Sequence, residues 1–326
     1  MSVEKLPYIS GPNEITNNDY HNGDKYNDFL SSTKLKYFLT SPKWYKWLED
    51  HPEDEEVNLA YQFGGLYHSM LASIVNTGDL NGFKDDHAIF IPPINQTTGK
   101  PYGITSGAYL TAYNFAKEQS GGKELCTQDQ IDLAQIMINE LMDGNPHLSK
   151  DIQFLIRNGK AEESGFCEYQ GYKFKYRTDL KTKSKIVDWK TCAKDAAHPE
   201  EIHRQIIKFN YHISAAFYQF FDFQITGKWK PFFWIFQEKE SPFDFLIESA
   251  DNWAFEITKN DDGSQIALPK CGAVTFIKLM EQYILCRESD IWPGYSIFVQ
   301  PGFRNQRINY SQPPGYYKKL MFNFFN

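Results

Sequence analysis

Cysteine is scarce and scattered: Cys126, Cys167, Cys192, Cys271 and Cys286 are the only five in 326 residues, an odd total with no CxxC pair. That spacing argues against both a zinc knuckle and a disulfide framework, and leaves the cysteines as buried small hydrophobes or idle thiols. No apolar run approaches the roughly 20 residues of a membrane helix. The opening MSVEKLPYISGPNE has no apolar signal-peptide core, so a cytoplasmic protein without a membrane partner is expected. Internal repeats and low-complexity tracts are absent. No Walker or GxGxxG spacing surrounds Gly64-Gly65, and close helix packing is the expected reason for that pair. Positive charge is also short overall. A net charge of −7 argues weakly against a general nucleic-acid coat, because non-specific DNA affinity comes mainly from Lys and Arg neutralising phosphates.

Aromatic residues are plentiful, at 16%, and the charged fraction is an ordinary 23%, as in a folded globular chain. The length suits one large domain or two small ones. Charge is unevenly spread: between Lys173 and Lys194 stand eight bases against two acids, Asp179 and Asp188. Residues 1–26 are polar and read as an extended lead-in, with a single domain over 27–326. Within it, 27–150 is mainly helical, 160–250 is a sheet-and-helix core, and 251–326 is a helix followed by an aromatic, Pro-containing tail. In the first part Ser31 or Ser32 can cap a helix, Ser41-Pro42 breaks the chain before a second, and 57–75 has helical period. Thr127 and Gln130 form a possible capping box for a helix ending at Gly144.

From about residue 160 the texture is that of strands. AEESGFCEYQ and YKFKYRTDL flank Gln170-Gly171, a turn dipeptide, and predict an antiparallel hairpin. A two-residue turn would set Glu162 opposite Asp179. KIVDWKT (185–191) follows as a third strand, in which Val187 and Trp189 take one face and Asp188 and Lys190 the other. A long amphipathic helix is expected over 198–224, then a second hairpin and a final helix. This order predicts an α/β or α+β fold with helices on the faces of a mixed sheet. If the hairpin and third strand are neighbours, Glu162, Asp179, Asp188 and Lys190 can converge. Carboxylates suit a hard cation such as Mg²⁺, and a lysine beside them can orient or deprotonate a water for phosphodiester hydrolysis. The plainer readings are a surface ion pair for Asp188 and Lys190, a core histidine for His68, solvated strand residues for Glu162 and Glu163, and a solvated face for the basic run.

Asp179 followed by Asp188-Trp189-Lys190 resembles the PD-(D/E)xK nuclease motif. Around it, SSTKLKYFLTSPKWYK, FGGLYHSML and FNYHISAAFY resemble helices of RecB-type nucleases, and ILCRESDIWPGY resembles the closing segment of RecE-type exodeoxyribonucleases (exonuclease VIII-like, related to lambda exonuclease and YqaJ), many of them encoded by phages or prophages. The resemblance runs discontinuously from about residue 15 to 297. It implies the restriction-endonuclease-like core and a Mg²⁺- or Mn²⁺-dependent deoxyribonuclease with two ions per active site. By position, Asp179 and Asp188 would be metal ligands with the Trp189 backbone carbonyl, His68 a further ligand, Lys190 the residue on the attacking water, and Glu162 the acid at the start of the hairpin, with Glu163 its rival. Tyr218 matches the tyrosine of the family's Gln-x-x-x-Tyr, whereas Ser214 stands where the glutamine belongs. Neither Gln205 nor Gln219 has the spacing to replace it. The resemblance further implies 5′→3′ digestion of duplex DNA in recombination or repair, a homo-oligomeric ring and a single-strand annealing partner. In a ring, Lys173, Lys175, Arg177 and Lys190 could line the DNA path. A Cas4-type nuclease is disfavoured for want of cluster cysteines, a restriction endonuclease would need a recognition element, and a catalytically weakened DNA-binding or assembly subunit is the alternative from another class.

Overall fold

The structure, a computed structural model, describes residues 6–11, 14–51 and 59–294. The tail expected beyond 294, the start of the 57–75 helix and the last residues of the closing-segment resemblance lie outside the described residues. The described residues of Met1–Lys34 and Glu56–Lys278 form one compact unit, and those of Leu35–Glu55 and Leu279–Asn326 a second.

The larger unit holds the sheet. Its strands, in chain order, are β1 (Tyr8–Ile9), β2 (His87–Ile89), β3 (Glu124–Cys126), β4 (Lys160–Tyr169), β5 (Tyr172–Lys181), β6 (Ile186–Cys192), β7 (Phe232–Glu238), β8 (Phe245–Ser249), β9 (Phe255–Lys259) and β10 (Gln265–Pro269). Six of them make one sheet in the order β1-β4-β5-β6-β7-β8, antiparallel except for β6 beside β7, which is parallel. The expected mixed sheet flanked by helices is what the chain forms. A parallel pair needs a long crossover, and the helices Pro199–Lys208 and Tyr211–Thr226 supply it.

Where one helix was expected over 198–224 there are two, because Asn210 adopts the left-handed conformation (φ 55°, ψ 36°). Asparagine tolerates that region better than most residues, and the turn it makes redirects the chain. Other boundaries follow the sequence signals. Ser31 accepts the Lys34 N–H and Ser41 the Trp44 N–H, with Pro42 in the first turn of Pro42–Asp50. Thr127 and Gln130 form the reciprocal capping box. Gln170 and Gly171 both have positive φ (51° and 80°), as a two-residue type I′ hairpin requires, and the register runs from Tyr169 opposite Tyr172 to Lys160 opposite Lys181.

One side of the sheet is covered by the helix Leu59–Thr77, whose Phe63, Leu66, Tyr67, Met70 and Leu71 pack with Leu180, Val187, Trp189 and Ile235. On the other lies Tyr211–Thr226, with Phe221 stacked on Phe174 at 4.4 Å. Strict alternation would put Tyr176 and Leu180 on one face. Instead the Tyr176 hydroxyl donates to Asp222 on Tyr211–Thr226, while Leu180 joins the cluster under Leu59–Thr77. The alternation therefore breaks between them, around Thr178 and Asp179, opposite Glu162, whose φ is 56°. Glu162 and Asp179 occupy opposing positions, yet the pairing skips them while holding at Ala161–Leu180 and Glu163–Thr178.

Residues 6–11 and 14–26 are not an extended lead-in. β1 adds to the sheet edge, and Tyr8, Tyr20, Tyr26 and Phe29 surround the Phe166 ring. In the smaller unit, Phe38, Tyr45, Tyr283 and Trp292 pack together, and Arg287 binds Glu49 and the Tyr45 hydroxyl. Among the described residues no helix is long and apolar enough to cross a membrane.

Candidate active site

A cleft of about 460 Å³ opens in the larger unit where β5 and β6 part company. Their pairing ends at Leu180 opposite Val187. Just beyond, the Asp179 carboxylate accepts the Trp189 backbone N–H at 2.8 Å. A side-chain oxygen thus satisfies a ladder donor that a buried strand cannot leave unpaired. Val187 and Trp189 are anchored in the core, as expected, and Asp188 and Lys190 share the other face, with Lys190 Nζ 2.6 Å from Asp188 Oδ2.

The Leu59–Thr77 helix forms the facing wall. Gly65, His68, Ser69, Ala72 and Ser73 line the cleft, positions spaced i, i+3, i+4, i+7 and i+8, so they make one stripe. Small residues surround the single imidazole. His68 Nδ1 lies 3.4 Å from Asp179 Oδ2. Burial and the nearby Lys190 ammonium lower the imidazole to about 4, so it is neutral near pH 7. Glu162 lines the same cleft, held by Arg177 at 3.6 Å, whereas Glu163 points elsewhere, to Lys181 at 2.9 Å.

Burial pushes the Glu162 carboxyl up to about 7 against the pull of Arg177. It lifts Asp188 to about 7 as well; Lys190 opposes that rise, and the negative charge of nearby Asp179 adds to it. Burial works against the Lys190 ammonium, but Asp188 and Asp179 outweigh it and raise its pKa. Tyr218 lines the cleft, its hydroxyl held protonated by burial and by the surrounding acids.

Asp179 and Asp188 bring two carboxyls into one cleft, a concentration of negative charge that a cation would offset. The donors that line the cleft are Asp179, Asp188 and the neutral His68; Trp189 is not among its lining residues. This set suits Mg²⁺ or Mn²⁺, ions that take one or two carboxylates and keep several waters. No cage of three or more His, Cys, Asp or Glu side chains able to hold a metal is assembled among the described residues. For an ion that retains its waters, the donor chemistry fits without such a cage.

Of the basic residues expected along a DNA path, Lys190 and Arg177 line the cleft, while Lys173 and Lys175 are engaged elsewhere. Lys175 and Arg177 are buried, because residues 14–22 cover their face. Lys175 donates to the Tyr20 carbonyl at 2.5 Å, and Arg177 to the Ile15 carbonyl and to Ser164 Oγ. Both cations lie over the Tyr20 ring. Lys173 is paired with Asp28 at 2.6 Å. Ser214 Oγ accepts from Ser32 Oγ at 3.3 Å. Gln219 does not replace the glutamine: its amide is fully engaged with the backbones of Lys230 and Phe255. Among the described residues an added Cβ at Gly65 would meet nothing and one at Gly64 only Thr191 Oγ1 at 3.9 Å, so close packing among them does not explain that pair. Tyr20, His21, Asp86 and His87 also line the cleft. They come from segments whose sequence is polar and aperiodic, which offered no signal for them.

A mixed sheet forked at paired carboxylates, with a lysine two residues on along the same strand face, is the architecture of PD-(D/E)xK-type nucleases. Residues 31–261 match the family described as "PDDEXK-like domain of unknown function (DUF3799)", and the chain belongs to that family. Among solved structures, a "putative exonuclease" from Eubacterium rectale is similar in fold, with a TM-score of 0.51 and 16% identity over 91% of this chain and 96% of that one. No curated protein matches the sequence.

Proposed function

We propose that the chain is a divalent-metal-dependent deoxyribonuclease of RecE-like type, removing nucleotides 5′→3′ from one strand of linear duplex DNA in recombination or repair. The observation that carries the nuclease reading is the convergence of Asp179, Asp188 and Lys190 with His68 and Glu162 in one cleft. The structurally similar Eubacterium rectale protein, named a "putative exonuclease", is in keeping with an exonuclease.

Asp179, Asp188 and His68 would hold the metal, which when bound supplies Lewis-acid stabilisation of charge on the phosphodiester and its leaving oxygen. The remaining chemistry belongs to the side chains. Lys190, charged and resting on Asp188, orients the attacking water and offsets negative charge at the phosphate. His68, neutral through burial, presents a lone pair rather than a competing positive charge. Glu162, titrating near 7, can accept or return a proton at neutral pH. Tyr218 stays protonated and serves as a hydrogen-bond donor. The same reading extends to a homo-oligomeric ring and a single-strand annealing partner.

The test is digestion of linear duplex DNA with one end or the other blocked, in Mg²⁺ or in EDTA. Metal-dependent loss of nucleotides that a 5′ block arrests is the expected result. Internal cuts would mark an endonuclease, and binding without loss a weakened subunit. Lys190→Ala should lower the rate at least ~100-fold, and an unchanged rate would refute the active-site assignment.

A further inference from the structure

The Tyr211–Thr226 helix meets the site along one face, on which Tyr211, Ser214 and Tyr218 stand at i, i+3 and i+7. Tyr218 lines the cleft and the Ser214 hydroxyl is bonded to Ser32. Tyr211 lies against the lysine: Lys190 Nζ is 5.0 Å from its ring centroid. The ring is itself clamped. It stacks on Phe209 at 5.4 Å and 25°, and leans on Phe236 at 6.0 Å. Residues two apart in a continuous helix do not face each other. Phe209 and Tyr211 stack because the left-handed Asn210 separates one helix from the next.

We propose that Tyr211 is a positioning residue that holds the Lys190 ammonium in place through its aromatic face, an inference that rests on the nuclease reading of this cleft. Among the described residues Lys190 has one anionic anchor within contact, Asp188 at 2.6 Å. Asp188 is also a donor on which a cation would draw, and a four-carbon stem with one shared anchor is free to swing. An aromatic face attracts an ammonium through its quadrupole. It does so without giving a competing cation a carboxylate. The clamp from Phe209 and Phe236 makes the platform rigid, and the break at Asn210 sets its angle. The hydroxyl of Ser214, already engaged with Ser32, leaves this ring as the group on that helix face which meets Lys190.

Two measurements test it together. In the protein carrying ¹³C-labelled lysine, the Lys190 ε-methylene resonance, assigned by its loss in Lys190→Arg, should be shifted upfield by the ring current of Tyr211 and should lose that shift in Tyr211→Leu. In steady-state DNA hydrolysis, Tyr211→Leu should lower kcat about tenfold with KM within about twofold, while Tyr211→Phe and Tyr211→Trp, which keep the face, should stay within about threefold of the parent. Tyr211→Met serves in place of Leu should the latter fail to fold, with the same expectation. An unshifted Lys190 resonance in the parent overturns the proposal, as does a parental rate in Tyr211→Leu or an equal loss in Phe and Leu variants. A parent that shows the ring-current shift but cleaves no DNA overturns the nuclease reading instead, leaving the contact itself intact.

Discussion

Asp222 is the residue on which the core's charges close. It is 1% exposed, accepts from the Tyr176 hydroxyl at 2.8 Å and pairs with both Lys181, at 3.2 Å, and Lys230. Lys181 in turn meets Glu163. Two acids and two bases thus balance beneath the hairpin. Removing one member of such a set costs more than the set contributes, since it strands the opposite charge away from water. Asp222→Ala should lower unfolding free energy by about 3–5 kcal/mol, measured by urea denaturation. The same network explains why Glu163 was a plausible rival to Glu162 in sequence. Adjacent glutamates on a strand are told apart by which face carries chemistry, and the face here depends on a break in alternation that no residue type announces. Glu162 reached the cleft because its own backbone turned left-handed.

At the scale of elements, the Leu59–Thr77 helix is a wall with two stripes, one apolar and buried, the other small and open to the cleft. Gly65 stands one turn before His68 with free space where a Cβ would be. Gly65→Ala should therefore raise stability, by up to about 1 kcal/mol through helix propensity, visible as a higher Tm. Gly65→Phe should fill the cleft, weakening DNA binding at least tenfold in a fluorescence titration while the fold persists. Much of this element-level picture was legible beforehand: the capping box, the hairpin and its register, the inward Trp189, and the gathering of Asp179, Asp188 and Lys190. Periodicity and turn residues are local, and these features are local. The helix break at Asn210 was hidden because amphipathic period continues across it. The fate of Lys175 and Arg177 was hidden because it depends on residues roughly 160 positions earlier in the chain folding back over them.

For the molecule as a whole, two carboxyls titrating near 7 link stability to pH. Glu162 and Asp188 are lifted by burial from ordinary values of 4.5 and 3.8 to about 7. Between those limits the folded chain holds protons the unfolded chain has released, so the contribution is complete below the ordinary values and is lost as pH rises through about 7. In EDTA, the parent's Tm should fall from about pH 5 to about pH 8 more steeply than that of Glu162→Gln, which has no such proton. Mg²⁺ should flatten the parent's slope, because a cation takes the proton's place and binds more tightly as pH increases. A slope identical in parent and variant would rule out the linkage.

The covering of Lys175 and Arg177 by residues 14–22 also bears on how the protein can be handled. Those residues supply the carbonyls and the ring that keep two cations out of solvent in a chain of net charge −7. Shortening the chain to begin near residue 24 would strip that cover, leaving a bare basic strip flanked by the Phe166 aromatics. Such a shortened protein should adhere to heparin resin at salt concentrations where the parent flows through, and its apparent taste for DNA would then report the trimming rather than the enzyme.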